Sequence, residues 1–275
     1  MKKYLFYSIL LLCTAIACKN NTDATANGTV TDNDKKEKVL PPEVLTLQQL
    51  VAQHPDSVGA RLQLAIALDS IEAYTPALKQ MDILVKKDSS NYGLWYTKAQ
   101  IEEDAKDTAH AIDSYAKAIA VYPSADAMLS LANIYAEQKN PRSLLICNQV
   151  RQLGMGRGYD AACAFIAGVY NARTGQKQLA LNLFDQCIQS DYTYMEAYIE
   201  KGLIYFDNKQ YRQALDVFSL ATKVNRLYSD AYYWMARCYE LMNVKDSAVY
   251  YFKQSLALDK NSPETKQALK RLGAE

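Results

Sequence analysis

The chain has 275 residues, and 49% of them are hydrophobic, which is enough for a large buried core. Its formal net charge is +1, and removal of Lys2 and Lys3 with a leader peptide leaves −1. Proteins that bind nucleic acids usually carry a basic face, so this charge balance argues against a nucleic-acid partner.

The first 17 residues have the features of a secretory signal peptide. Lys2 and Lys3 precede an apolar run over residues 4–17, which is too short to span a bilayer comfortably. The run ends in small residues directly before Cys18. From this pattern alone, three outcomes stay open: a signal that is cleaved and leaves a lipid on Cys18, a cleaved signal without lipid, and an uncleaved anchor.

The small residues before Cys18 resemble the lipobox of bacterial lipoproteins, although Ala15 stands where Leu is commonest. The resemblance implies that Cys18 becomes the mature N-terminus and carries several acyl chains, which together anchor a protein stably. Lys19 follows, where an Asp often retains lipoproteins in the inner membrane. The resemblance therefore implies a location in the cell envelope, at the outer membrane and facing the periplasm.

Residues 18–42 are predicted to be a disordered polar tether. Between residues 19 and 38 there is no aromatic residue and almost no apolar side chain. Such a segment cannot bury enough surface to offset its conformational entropy. Pro41 and Pro42 end it.

After the tether, one 34-residue pattern repeats, most regularly in residues 195–228 and 229–262. The same offsets carry Tyr198 and Tyr232, Gly202 and Ala236, Tyr205 and Tyr239, Ala214 and Ala248, Phe218 and Phe252, and Ala221 and Ser255. A repeat of this period predicts an array of helical hairpins. The apolar residues recur at three- and four-residue spacing, which indicates one buried stripe per helix.

Four earlier copies are less regular and span residues 58–91, 92–124, 125–157 and 161–194. A half-repeat ends at His54 and Pro55, and a polar capping helix is predicted within 263–275. In the third copy, Leu144 and Asn148 stand where a small residue and an aromatic residue are expected. The array thus has six units with one irregular member.

Three glycines, Gly154, Gly156 and Gly158, interrupt the array between its third and fourth units. A phosphate-binding loop needs a preceding strand and a following helix, and here predicted helices lie on both sides. We therefore predict a flexible joint rather than a nucleotide site.

The whole pattern resembles the tetratricopeptide repeat family over nearly all of residues 43–275. The family signature is matched as Tyr198-x2-Lys201-Gly202-x2-Tyr205, followed by Ala214-x3-Phe218. The resemblance implies an all-α, right-handed solenoid of helical hairpins. It also implies a protein that binds other proteins and is not an enzyme.

Residues suited to catalysis or metal binding are scarce. His54 and His110 lie in different repeats, without cysteine or carboxylate at ligand spacing, so we predict no metal, no cofactor and no catalytic residue. Four cysteines remain after the leader and Cys18: Cys147, Cys163, Cys187 and Cys238. Cys163 and Cys187 lie at one level of a predicted hairpin, and whether they form a disulfide stays open.

In the family, the first helix of each hairpin lines a concave groove. Transferred to this sequence, the predicted groove residues are Leu62, Ile66, Tyr96, Leu129, Phe165, Val169, Ile199, Leu203, Phe206, Tyr233 and Arg237. Acidic residues are expected to border this apolar floor, namely Asp69, Glu103, Asp104, Glu137, Asp207 and Glu240. The family's chaperone-binding members hold a C-terminal carboxylate with a Lys that is absent here at the fifth position of every repeat.

These features favour a lipid-anchored scaffold that binds one or more envelope proteins through a peptide or helix in its groove. A receptor or sensor for a periplasmic peptide or small molecule is the alternative from another class. An assembly factor for an outer-membrane, pilus or secretion complex is a third possibility. The sequence does not choose the partner.

Overall fold

A computed structural model describes residues 40–274, which contain fourteen α-helices and no strand. The signal peptide, Cys18 and nearly all of the predicted tether lie outside this part of the chain. The helices are α1 (Pro42–Gln53), α2 (Val58–Ser70), α3 (Tyr74–Lys87), α4 (Tyr92–Asp104), α5 (Thr108–Val121), α6 (Ala125–Glu137), α7 (Arg142–Gln152), α8 (Arg157–Arg173), α9 (Lys177–Ser190), α10 (Met195–Asp207), α11 (Tyr211–Val224), α12 (Ser229–Leu241), α13 (Lys245–Leu258) and α14 (Pro263–Arg271).

The helices form six consecutive hairpins, from α2–α3 to α12–α13, with α1 before them and α14 after them. Each helix contacts the next one along the chain, so the array grows by stacking. From the third hairpin onwards, the first helices of neighbouring hairpins also contact one another: α6 with α8, α8 with α10 and α10 with α12. The second helices of these hairpins do not approach one another to the same extent, so this part of the row curves with the first helices on its inner side. The predicted all-α solenoid is confirmed. In residues 40–274, no helix combines the length and the apolar character that a membrane crossing requires.

Every hairpin turns through the same backbone geometry. Counted from the first residue of each repeat, the fifteenth residue has a positive φ, and it is Gly175 in the fourth repeat. In the other repeats this residue is a Glu, a Lys or an Asn, for example Lys209 with φ 60°. The amide of the next residue donates to a carbonyl five residues earlier, as Gln210 does to Tyr205 over 2.9 Å. This closing bond satisfies a carbonyl at the end of the first helix.

Small residues let the two helices of a hairpin cross closely. Ala214, Phe218 and Ala221 of α11 are fully buried, and Phe218 lies directly over Gly202 of α10. A Cβ atom on Gly202 would overlap the Phe218 ring, and a Cβ on Gly168 would lie 2.6 Å from the Phe184 ring. The recurring small residues of the repeat are therefore packing positions.

The third hairpin differs from the prediction by one residue. The buried residues of α7 are Ser143, Cys147 and Val150, whereas Leu144 is half-buried and Asn148 is exposed. The cause is a tighter start of the helix: the Ser143 amide donates to the carbonyl of Asn140, three residues earlier. In the fifth repeat the corresponding bond reaches back four residues. The pattern small-x3-large-x2-small is therefore kept, one residue earlier than the sequence indicated.

The glycine-rich break lies at the surface. Gly154 and Gly156 both have positive φ, and α8 begins at Arg157, one turn before the predicted start of the fourth repeat at residue 161. Beneath them, one buried cluster includes Cys147 and Val150 of α7 together with Cys163 and Ile166 of α8. The core is thus continuous across the break, so what we predicted as a flexible joint is a packed junction.

The ends of the array are closed differently. In α1 only Val44 is buried, and Leu45 and Leu50 are exposed although their spacing suggested a buried face. In α14 the buried residues are Thr265, Ala268 and Leu269, and the other face is polar. A polar outer face suits a terminal helix on which nothing stacks.

Candidate functional site

The first helices line a groove that runs along the inner side of the array. Ten of the eleven predicted groove residues are partly accessible there. Ile66 is 48% exposed, and the half-buried ones are Leu62, Tyr96, Leu129, Phe165, Ile199, Leu203, Phe206, Tyr233 and Arg237. These ten side chains are accessible along this face, and their contact with a bound segment stays a prediction.

Val169 is the exception, because it is only 1% exposed and belongs to the core. Its helix, α8, packs against α6 more extensively than any other two first helices pack against each other, and Val169 belongs to the same buried cluster as Ala132 and Ala136 of α6. The assignment of Val169 to the groove is wrong.

The aromatic residues of the groove also hold neighbouring elements together. The ring of Phe165 lies 4.9 Å from that of Tyr194 and 5.9 Å from that of Phe184. Phe206 lies 5.2 Å from Trp234 of the next repeat. Such ring pairs stabilise the stack beyond the area they bury. These groove residues are therefore structural as well as accessible.

The groove opens near its first end. A cavity of about 550 Å³ lies between α1 and α2. Leu47 and Ile66 contribute its apolar walls, and Glu43, Thr46, Gln63, Ala67 and Ser70 complete the lining. This end offers an apolar surface that is not covered by a neighbouring aromatic residue.

A half-buried ion-pair network crosses the middle of the groove. The Arg173 guanidinium donates to Glu137 over 2.8 and 3.0 Å and to Glu200 over 2.9 Å through two nitrogens. Burial opposes the charge, but the hydrogen bonds to Glu200 and Glu137 raise the pKa of Arg173. The network joins three successive repeats. The sequence analysis did not identify this network. The available signal was Arg173 itself, because the other repeats have an acidic or a neutral residue at its position.

The acidic border is weaker than predicted. Glu137 is paired with Arg173, Glu240 accepts two hydrogen bonds from Arg271, and Asp69 is buried. Glu103 accepts a hydrogen bond from the Tyr115 hydroxyl, and burial raises the pKa of Glu103. The groove is thus an apolar floor in which most acids already have partners.

Arg237 is a half-buried cation of the groove with unused hydrogen-bonding capacity. Its Nε is buried without a partner in the described part of the chain, and one terminal nitrogen lies 3.5 Å from Glu240. Arg237 therefore gives the sixth repeat a donor that the apolar fifth repeat lacks.

The histidines show no catalytic arrangement in residues 40–274. His54 and His110 are both exposed, and the Nδ1 of His110 lies 2.7 Å from the carboxylate of Asp107 at the start of α5. In the same part of the chain, no three His, Cys, Asp or Glu side chains come together to hold a metal ion.

Comparisons with known proteins agree with the hairpin array. A family model described as "Tetratricopeptide repeat" matches residues 96–141 and 199–263. The comparison with curated proteins found no match.

Solved structures with the same fold are distant in sequence. A tetratricopeptide repeat protein from Parabacteroides merdae ATCC 43184 has a TM-score of 0.70 at 13% identity, over 84% of this chain and 91% of that one. PilW, described as a widely conserved type IV pilus biogenesis factor, has a TM-score of 0.60 at 18% identity, over 77% of this chain and 98% of that one.

A chain of the APC/C hetero-tetramer Cut9-Hcn1 also has a TM-score of 0.60 at 18% identity, over 83% of this chain. This protein spans only 45% of that chain's length. At these identities the likeness concerns the fold alone.

Proposed function

Since the chain belongs to the tetratricopeptide repeat family, whose solenoid is a protein-interaction scaffold, we propose that it is a non-enzymatic adaptor of the bacterial cell envelope. It binds a partner peptide or helix in its concave groove and is held at the membrane by a lipid on Cys18.

The row of apolar side chains along successive first helices is the observation that carries this proposal. Leu62 and Ile66, then Leu129, then Ile199 and Leu203, are accessible on one continuous face. A stripe of this kind suits the apolar face of an amphipathic helix or alternate side chains of an extended peptide. An enzyme site would need convergent titratable groups instead.

The charged side chains along the groove bear on the chemistry of the partner. Asp207 is exposed at the C-terminal end of α10 near the apolar floor, and burial of its surroundings raises the pKa of Asp207. Arg237 lies on the next first helix, 3.5 Å from Glu240. A partner segment with an apolar stripe and a basic residue beside Asp207 fits this surface better than an acidic one.

The membrane anchor is the second part of the proposal. It rests on the basic start, the short apolar run and the small residues before Cys18, with Lys19 directing the protein to the outer membrane. The polar segment that follows provides the distance between the bilayer and the first hairpin.

Site-specific photocrosslinking in the native cell tests the groove. A photoreactive residue at Leu203 or Ile66 should give a discrete adduct with a partner protein. The matched control positions are Leu145 and Leu220, which are exposed on the second helices α7 and α11. If the control positions capture the same partner and the groove positions do not, the groove is not the binding surface. A peptide or small molecule retained at the groove, with no protein adduct, would favour a receptor instead.

Replacement of the lipid site tests the anchor. Wild-type protein should sediment with membranes and incorporate a fatty-acid label, and Cys18→Ser should abolish both. Cys238→Ser is the control, since Cys238 is buried in α12. Equal membrane association of wild-type and Cys18→Ser would exclude the lipid anchor without affecting the groove.

A further inference from the structure

The junction between the third and fourth repeats contains two cysteines where the other repeats have different residues. Cys147 of α7 takes the place held by Phe184, Phe218 and Phe252 in the second helices of the last three repeats. Cys163 of α8 takes the third position of its repeat, which is Ala127, Ala197 or Ala231 elsewhere. Cysteine therefore occupies both of these positions at the junction between the third and fourth repeats.

The two side chains are adjacent and enclosed. The Cys163 thiol donates to the backbone carbonyl oxygen of Cys147 over 3.4 Å, which places the two cysteines side by side in one buried cluster. Cys147 is 1% exposed and Cys163 is 0% exposed. Cys187, the partner that the hairpin geometry suggested for Cys163, belongs to the same buried cluster but has no hydrogen bond to either thiol.

From this geometry we propose that Cys147 and Cys163 form a disulfide that links the third repeat to the fourth. The bond closes the one junction at which the helix register shifts and the connecting loop is rich in glycine. It fixes α7 against α8, and so fixes the angle between the first three repeats and the last three. Its formation in the cell rests on the proposed location outside the cytoplasm, because disulfides persist in oxidising compartments.

The reaction is thiol–disulfide exchange with an oxidant that is itself a disulfide. The thiolate of one cysteine of the pair attacks one sulfur of the oxidant, which forms a mixed disulfide and releases one thiol. The thiolate of the other cysteine then attacks the protein sulfur of the mixed disulfide, which forms the protein disulfide and releases the second thiol. Two electrons pass to the oxidant, and the two protons end on the released thiols.

Burial decides when the bond forms. An oxidant cannot reach either sulfur once α7 and α8 have packed, so the exchange takes place during folding. The two cysteines are 16 residues apart along the chain. Closing so short a loop costs little entropy, which favours this pair over a more distant one in the unfolded chain.

Oxidative refolding of the full chain tests the proposal. Cys13→Ser and Cys18→Ser are introduced so that four thiols remain, and the protein is refolded with oxidised and reduced glutathione or with dithiothreitol. The oxidised sample should lose two titratable thiols and two hydrogen atoms in mass, and peptide mapping should link Cys147 to Cys163. Its thermal midpoint should exceed that of the reduced sample by several degrees.

Matched variants separate this pair from the other two cysteines. Cys187→Ser and Cys238→Ser should each keep the crosslink and the difference between oxidised and reduced midpoints. Cys147→Ala and Cys163→Ala should each abolish both. If either Ala variant does not fold, the peptide map of the parent protein still decides.

Two results would overturn the proposal. One is a helical, cooperatively melting protein with four free thiols after oxidative refolding. The other is a link from Cys163 to Cys187. Neither result bears on the groove or the anchor, since this experiment contains no partner and no membrane.

Discussion

The fifth and third repeats build the same hairpin with different residues. In the fifth, Phe218 covers Gly202, and Ala214 and Ala221 complete the contact. In the third, Ala132 replaces the glycine, and Ser143, Cys147 and Val150 replace the small-aromatic-small set. In the fifth repeat the Phe218 ring occupies the space of a Cβ on residue 202, whereas in the third repeat the smaller Cys147 is combined with an alanine. The two repeats show that the fold requires matched volumes across the crossing rather than particular residues.

The turn before the second helix accounts for the other difference. In the fifth repeat the Ala214 amide donates to the carbonyl of Gln210, four residues earlier, over 3.0 Å. In the third, Ser143 donates to Asn140, three residues earlier, over 3.1 Å. Removing one residue from the turn rotates every side-chain position of the following helix by about 100° around the helix axis. In α7 the buried residues also lie one position earlier in the repeat, which cancels this rotation. The buried face of α7 therefore points in the same direction as that of α11.

The largest effect is expected from filling the close crossing of the fifth repeat. Gly202→Leu forces atoms into the Phe218 ring and should lower the free energy of unfolding by about 3 kcal/mol, the upper end of overpacking costs. Gly59→Ala is the control, because nothing lies within 4 Å of a Cβ there. Thermal melts followed by circular dichroism measure both. If Gly202→Leu melted at the same temperature as the parent protein, the close contact between Gly202 and Phe218 would be refuted.

The shifted register of the third repeat gives the next prediction. Ser143 is fully buried, so Ser143→Leu should destabilise the protein by about 1–2 kcal/mol through overpacking. Asn148 is exposed, so Asn148→Phe should leave the unfolding midpoint in urea nearly unchanged. If the register were the one expected from the sequence, Asn148→Phe would fill the core and stabilise the protein.

The ion-pair network joins the irregular third repeat to the regular fifth one. Arg173→Leu leaves Glu137 and Glu200 half-buried without their cation, and should cost about 1–2 kcal/mol at neutral pH. The loss should shrink in the double variant that also carries Glu137→Gln. Urea denaturation of the single and double variants measures the coupling, and strict additivity would show that the network contributes nothing.

The smallest effects are expected at the shared turn between the helices. Lys209→Gly should raise the free energy of unfolding by about 0.5 kcal/mol, because glycine adopts positive φ without strain. Gly175→Ala should lower it by about 1 kcal/mol for the same reason. Differential scanning calorimetry measures whether each variant is more or less stable than the parent protein. A gain from Gly175→Ala would contradict the turn geometry.

Sequence reasoning predicted most of the groove because a groove position depends only on its place in the repeat. Tyr96, Leu203 and Tyr233 are accessible at the expected offsets. It failed at Val169, whose burial depends on the close packing of α8 against α6 and not on its offset. It also overestimated the acidic border, since the partners of Glu137 and Glu240 come from other repeats and are distant in sequence.

The sequence by itself determined the period, the helical hairpins and the small residues at their crossings, because these depend on local spacing and side-chain volume. Only the tertiary structure decided the register of α7, the burial of Val169, the Arg173 network and the approach of Cys147 to Cys163. The physical reason is that each of these results from contacts between repeats. A shift of one residue in a turn, or a closer packing of α8 against α6, changes which side chains meet across a junction while the periodic pattern of each helix stays almost the same.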